Sequence, residues 1–192
     1  MTHLRSDLHL LGMAGELTFD PGITASTVAD AAAGDVHAFA RIVELHHEDM
    51  ARVCYVICGD REVARECVQA AWAIAWHKLD SLRDPERLRP WLMSIAANEV
   101  RQYLRRQKRG RVVDISEIEI GSERRDPARR VEMLDLEAAL RRLTPEDRAL
   151  LAMRHVAGFD SPEIGVALGI SAAAVRTRLS RLVARLRSEL AE

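Results

Sequence analysis

Two amphipathic segments joined by a glycine turn constrain this chain more than any other feature. In DSPEIGVALGISAAAVRTRLSRLVARLR, Asp160 and Glu163 form a capping box, and Ile164, Ala167 and Leu168 supply an apolar face. Gly169 permits a sharp turn and Ser171 caps a second helix. On that second segment Val175, Leu179 and Leu182 recur at helical spacing and face inward, which leaves Arg176, Thr177, Arg178, Ser180 and Arg181 outside. The layout is that of a helix-turn-helix. Arginines on the outer face of its second helix suit phosphate contact and guanine readout in a major groove. A plain two-helix corner with a solvated basic face would use the same residue types, so the stretch alone leaves both readings open.

The remainder of the 192 residues is also written in helices. Apolar residues make up 48% and aromatics only 4%, and long stretches rich in Ala, Leu, Arg and Glu run without Gly or Pro, which predicts an all-α protein rather than a β-sandwich or barrel. Residues 1–34 carry only a weak leucine pattern and read as a mobile N-terminal extension. From Asp35 a helix places Phe39, Val43, Met50, Val53, Cys54 and Ile57 on one stripe and closes at Gly59. Asp60 caps a second, whose inner face carries Val63, Ala64, Cys67, Val68, Ala71, Trp72 and Ala75. Pro90 starts a third, striped by Leu92, Ile95, Ala96, Val100, Tyr103 and Leu104. Residues 110–131 have no stripe and contain two Gly and a Pro, so they read as a flexible acidic linker between two small helical domains, 35–109 and 132–192. In the second domain Leu136, Leu140 and Leu143 mark one helix, and Thr144-Pro145-Glu146-Asp147 opens the next.

The formal net charge of −1 conceals two positive patches. Between residues 101 and 111 six bases face no acid, and residues 171–187 hold Arg176, Arg178, Arg181, Arg185 and Arg187, again without an acid. Focused charge on an acidic background is expected of a protein that meets polyanions at two defined places. No stretch is apolar enough for membrane insertion, and the N-terminus lacks a secretory pattern, so a cytoplasmic location is expected. Cys54, Cys58 and Cys67 are odd in number and are expected to be reduced rather than to form a disulfide framework.

With those residues in view, 36–109 and 132–190 together resemble an extracytoplasmic-function (ECF) sigma factor, a promoter-recognition subunit of bacterial RNA polymerase in the sigma-70 superfamily. Ala64 to Gln69 resembles the family's acid-x-x-glutamine signature, and PWLMSIAANEVRQYLRRQKR from Pro90 resembles its Trp-Leu, Ile-Ala-x-Asn and Arg-Arg pattern. LRRLTPEDRALLAMRHVAGFDSPEIGVALGIS followed by VRTRLSRLVARLR is similar to the family's carboxy-terminal domain almost position for position. The chain departs from the family at Ala70 and Ala71, at Gly165 where Ala is usual, and at Ala173-Ala174, which replaces a Gly-Thr pair. Alanine donates nothing to a base edge, so hydrogen bonding on the second helix shifts to Arg176, Thr177 and Arg178.

The resemblance implies roles. Glu66 and Gln69, on an outer helix face, would meet the clamp helices of the polymerase largest subunit. Asn98 would lie beside a melted minus-ten base, and Arg101, Arg105, Arg106, Lys108 and Arg109 would hold minus-ten DNA backbone. Ser171, Arg176, Thr177, Arg178 and Arg181 would meet the minus-thirty-five element. The linker resembles family linkers that thread the RNA exit channel, which adds the second-largest subunit as a partner. Core polymerase and promoter DNA are thus the expected partners, and an anti-sigma factor is expected as the control, because the chain has no sensor domain of its own. Trp72 and Trp91 sit on apolar faces and read as core rather than as stacking platforms. No nucleophile and base pair or Gly-rich phosphate loop is present, so no enzymatic reaction and no cofactor or metal is expected. Two rivals remain: a stand-alone helix-turn-helix regulator with a sensing or dimerising first domain, and a thiol or zinc sensor built on the cysteines with His46 and His47.

Overall fold

The computed structural model describes residues 23–110 and 138–189. Those residues form helices and short helical turns with no strand among them. We number the helices α1 (Ala25–Ala32), α2 (Val36–Cys58), α3 (Arg61–Lys78), α4 (Leu88–Gly110), α5 (Pro145–Leu151), α6 (Ser161–Leu168) and α7 (Ala172–Glu189). Two short 3-10 turns, Leu79–Ser81 and Pro85–Arg87, lead from α3 into α4, and a π turn, Ala152–Val156, continues α5.

Local chemistry sets most of these boundaries. The Asp35 carboxylate accepts the amides of His37 and Ala38 at 2.8 and 3.2 Å, and those amides hold it below the usual carboxylate range. At its other end α2 stops where Gly59 takes φ +77°, a left-handed conformation that glycine adopts without a side-chain penalty. Asp60 then caps α3 through the amides of Glu62 and Val63. Helix α4 begins at Leu88 rather than at Pro90, because the 3-10 turn capped by Asp84 feeds directly into it. Pro90 falls within the first turn, where a missing N–H costs no intrahelical bond.

Helices α2, α3 and α4 pack on one another around Ile42, Met50, Val53, Ile57, Val68, Leu92, Met93 and Val100. Phe39 meets Trp72 and Trp76 edge-on, with ring centroids 5.7 and 4.8 Å apart, and the Trp72 indole N–H donates to His47 Nδ1 at 3.2 Å. Trp72 is therefore core, and Trp91 packs partly buried against the same core. Helix α1 corrects the reading of residues 1–34 as an extension. Val28 and Ala31 are buried against this bundle, so residues 23–34 belong to the first domain, while residues 1–22 lie outside the described residues. The alanine-rich composition hid this because small side chains give a weak stripe.

The second domain builds its core from Leu143, Leu150, Met153, Ile164, Val175, Leu182 and Leu186. Thr144 caps α5 at the amide of Asp147, with Pro145 in the first turn. This domain is not separate from the first: α5 and the π turn lie against α2, and α5 and α6 lie against α4. The linker reading of residues 110–131 falls outside the described residues, except that Gly110 ends α4.

Candidate nucleic-acid interface

The helix-turn-helix forms as its sequence dictates. Asp160 accepts the Glu163 amide and Glu163 accepts the Asp160 amide, both at 2.8 Å, a reciprocal capping box. Gly169 turns the chain at φ +70°, and Ser171 Oγ accepts the Ala174 amide at 3.1 Å to start α7. Gly165 has a reason that the sequence alone does not show. A Cβ there would stand 2.7 Å from the Ile170 carbonyl oxygen, so the close approach of the turn to α6 requires glycine.

On α7, Val175, Leu182 and Leu186 are buried and Leu179 is half-buried, which leaves Arg176, Thr177, Ser180 and Arg181 exposed. Ser171, before the helix, is exposed as well. Arg178 departs from the outward reading: it is half-buried, and its guanidinium donates to Asp147 Oδ1 at 2.8 Å. Asp147 belongs to the first turn of α5, so the acid that favours that helix start also ties down an arginine of the recognition helix.

The second basic patch divides the same way. Arg105, Arg106 and Lys108 are exposed along the end of α4, and Arg109 lies in the same helix. Arg101 is half-buried, its guanidinium donates to Asn98 Oδ1 at 3.0 Å, and its Nε is buried without a partner. Burial lowers its pKa, Arg105 and Arg178 add to that, and Glu146 opposes it. Asn98 is half-buried too, and its Nδ2 donates to the carbonyl of Ala167 in α6 at 3.3 Å. Asn98 and Arg101 thus lie where the two domains meet, not on a solvated helix face. Glu66 and Gln69 are exposed together on α3, off its apolar stripe.

Two arginines to which the sequence reading gave no role matter to this geometry. Arg148 is 3% exposed, and its Nε donates to the Ile57 carbonyl at 2.7 Å. Arg89 pairs with Asp49 at 2.9 Å and donates to the Ala157 carbonyl at 2.6 Å. The one local signal is for Arg148, which stands between the acidic pair Glu146-Asp147 and the apolar run Ala149 to Met153.

The thiol reading fares poorly in this setting. Cys54, Cys58 and Cys67 are all free and buried. Burial raises each thiol, Cys58 to about 11 and Cys67 to about 12, so little nucleophilic thiolate exists near neutral pH. Among the described residues no group of three or more His, Cys, Asp or Glu side chains could hold a metal ion. No helix among them is long and apolar enough to cross a membrane.

Comparison with known proteins agrees with the order of the two domains. Residues 42–110 match the family Sigma-70 region 2, and residues 133–186 match Sigma-70, region 4. The chain is 31% identical over 176 residues to RNA polymerase sigma factor NccH of Alcaligenes xylosoxydans xylosoxydans, covering 87% of this chain and 94% of that one. It is 29% identical to RNA polymerase sigma factor CnrH of Cupriavidus metallidurans, covering 82% and 89%. The solved structure of CnrH in complex with the cytosolic domain of CnrY superimposes with a TM-score of 0.64 at 27% identity, over 86% of this chain and 95% of that one. The sigma factor RpoE of Bartonella quintana, solved with the anti-sigma factor NepR, shares the fold with a TM-score of 0.67 at 22% identity, over 81% and 98%.

The protein belongs to the sigma-70 family of RNA polymerase sigma factors. Within that family it is an ECF sigma factor, whose described structure consists of a region 2 domain and a region 4 domain.

Proposed function

We propose that this chain binds core RNA polymerase through the α3 face carrying Glu66 and Gln69, and directs the enzyme to promoters through two DNA-reading surfaces. On the first, Asn98 receives a minus-ten base, and Arg101, Arg105, Arg106, Lys108 and Arg109 hold backbone phosphate beside it. On the second, Ser171, Arg176, Thr177, Arg178 and Arg181 meet the minus-thirty-five element, with Arg176 and Arg181 the cations most open to phosphate and base edges. Melting the minus-ten segment costs a few kcal/mol per unstacked base, and the unopposed cations of α4 offset that cost by neutralising phosphate where the strands part. The chain contributes binding and positioning, and the polymerase carries out the covalent chemistry.

One observation carries this reading: the two surfaces that expose unopposed cations lie in the two domains that match region 2 and region 4, in that order. That arrangement gives the α4 cations a purpose that a stand-alone helix-turn-helix regulator lacks. CnrH, similar to this chain at 27% identity in its solved structure, is there in complex with the cytosolic domain of CnrY. By analogy an anti-sigma protein covers the polymerase-facing surfaces here. The experiment is transcription by purified core polymerase from a randomised promoter library, with and without the chain. Transcripts that depend on the chain and share two spaced upstream elements are expected. Transcription identical with and without it would overturn the reading.

A further inference from the structure

Helix α7 carries Arg176, Arg178, Arg181, Arg185 and Arg187, and the last two lie beyond the residues proposed to meet the minus-thirty-five element. The fold sorts these arginines by face. At about 3.6 residues per turn, Arg187 stands about three turns beyond Arg176 and only about 20° round from it. Arg176, Ser180, Arg181, Ala184 and Arg187 are all exposed, and together they form one outer face that runs the length of the helix. Val175, Leu182 and Leu186 are buried on the other side.

Arg178 and Arg185 fall on the flank, about half a turn round from Arg176, and each is tied to an acid. Arg178 donates to Asp147 Oδ1 at 2.8 Å, and Arg185 Nε donates to Glu189 Oε1 at 2.7 Å. Glu189 also lies 3.6 Å from the guanidinium of Arg142. The domain's own carboxylates thus answer the flank cations, whereas no acid among the described residues pairs with Arg176, Arg181 or Arg187.

A cation in the last turn of a helix suits the negative end of the dipole, so by itself Arg187 reads as a helix terminus. Its register says more. A rise of about 1.5 Å per residue sets Arg187 about 16 Å along the axis from Arg176, whereas the major groove is about 12 Å wide. With the first turns of α7 on base edges, the last turn stands over a wall of the groove, where a side chain meets phosphate rather than bases. Ala184, on the same face one turn before it, offers no donor to a base edge.

We propose that Arg187 is a backbone-phosphate contact of the upstream element, a sequence-independent anchor at the far end of the helix whose first turns read bases. It rests on the proposed role of α7 at that element. The first turns carry the sequence preference, and Arg187 adds affinity alone. Arg185, equal in charge and two residues away, takes no part because Glu189 holds it.

The test uses the full chain bound to core polymerase and follows anisotropy of a short labelled duplex. One duplex carries the upstream element recovered from chain-dependent transcripts, a second has that element scrambled, and core polymerase alone is the blank. Arg187→Ala is expected to weaken binding to the element several-fold and to lower the log-log salt slope by about 0.9. Arg187→Lys should restore the slope, and Arg185→Ala should leave it at the wild-type value. The preference for the element over the scrambled duplex should be the same in all three variants. A merely terminal role would lower the melting temperature of Arg187→Ala and leave its slope at the wild-type value, which would overturn the contact. An unchanged slope with weaker binding of core polymerase would overturn it too, and would assign Arg187 to a protein surface. An equal drop in Arg185→Ala would reduce the effect to net charge and overturn the anchor. If the wild type does not distinguish the element from the scrambled duplex, the reading of α7 fails and the anchor with it; failure of the anchor alone shows only in the variants.

Discussion

Single side chains in this protein behave according to what their burial permits. Cys58 and Cys67 are thiols raised to about 11 and about 12 from an ordinary 9.0, with loss of hydration as the leading cause. A group whose folded pKa is raised contributes stability that is fully present below its unfolded pKa and is lost as pH rises through the folded value. Stability from these thiols should hold up to about pH 9 and then fall toward pH 11 to 12. Denaturant unfolding across that range should show the fall, and Cys58→Ala should lessen its slope relative to wild type. Arg176 and Arg178 make a second contrast. Arg176 is free on the surface, so with polymerase bound Arg176→Ala should reduce the log-log salt slope of upstream-element binding by about 0.9 for one lost phosphate contact. Arg178 must first leave Asp147, so Asp147→Asn should strengthen upstream binding, measured by anisotropy of labelled duplex.

At the scale of elements, the sequence was most readable where a helix begins or ends. Asp35, Asp60, Thr144, Asp160 and Ser171 cap the helices their positions announce, and Gly59 and Gly169 turn out of them at positive φ. Such signals are local: a side-chain oxygen reaches an amide two or three residues on, and the pattern needs no knowledge of the rest of the fold. Helix α1 escaped because Ala29, Ala31, Ala32 and Ala33 give little periodic contrast, and its burial depends on the bundle it meets. Gly165 was visible as a departure from the family, but its cause is a carbonyl five residues later, brought close by the turn. Gly165→Ala should therefore destabilise the chain by about 1–3 kcal/mol, the cost of overpacking a tight site, and Gly169→Ala by about 1 kcal/mol for its left-handed backbone. Thermal unfolding of the two variants checks both, with Gly165→Ala expected to melt lower.

For the whole molecule, two kinds of information were unequal in the sequence. The pair of domains, their order and the exposed cations of α4 and α7 followed from periodicity and charge, because each is a property of one segment. The junction did not, since Arg148 meets Ile57 and Arg89 meets Ala157 across separations that no helical period spans. Asn98 is covered at that junction, where it donates to the Ala167 carbonyl, whereas Arg178 is held within the second domain by Asp147, so some residues with the right chemistry for DNA lie partly covered. On the proposed function the two surfaces divide the work: α7 would meet the duplex upstream while the exposed cations of α4 would stabilise the opened strands.

That division of labour is tested most directly by permanganate reactivity of promoter thymines, using core polymerase with wild-type chain or with Arg105→Ala/Arg106→Ala, both positions exposed on α4. The account predicts reactive minus-ten thymines only when the chain is present, with reactivity reduced several-fold by the double substitution while protection of the upstream element is retained. Full thymine reactivity and full transcription with the substituted chain would contradict it, and would make the basic end of α4 a solvated helix terminus.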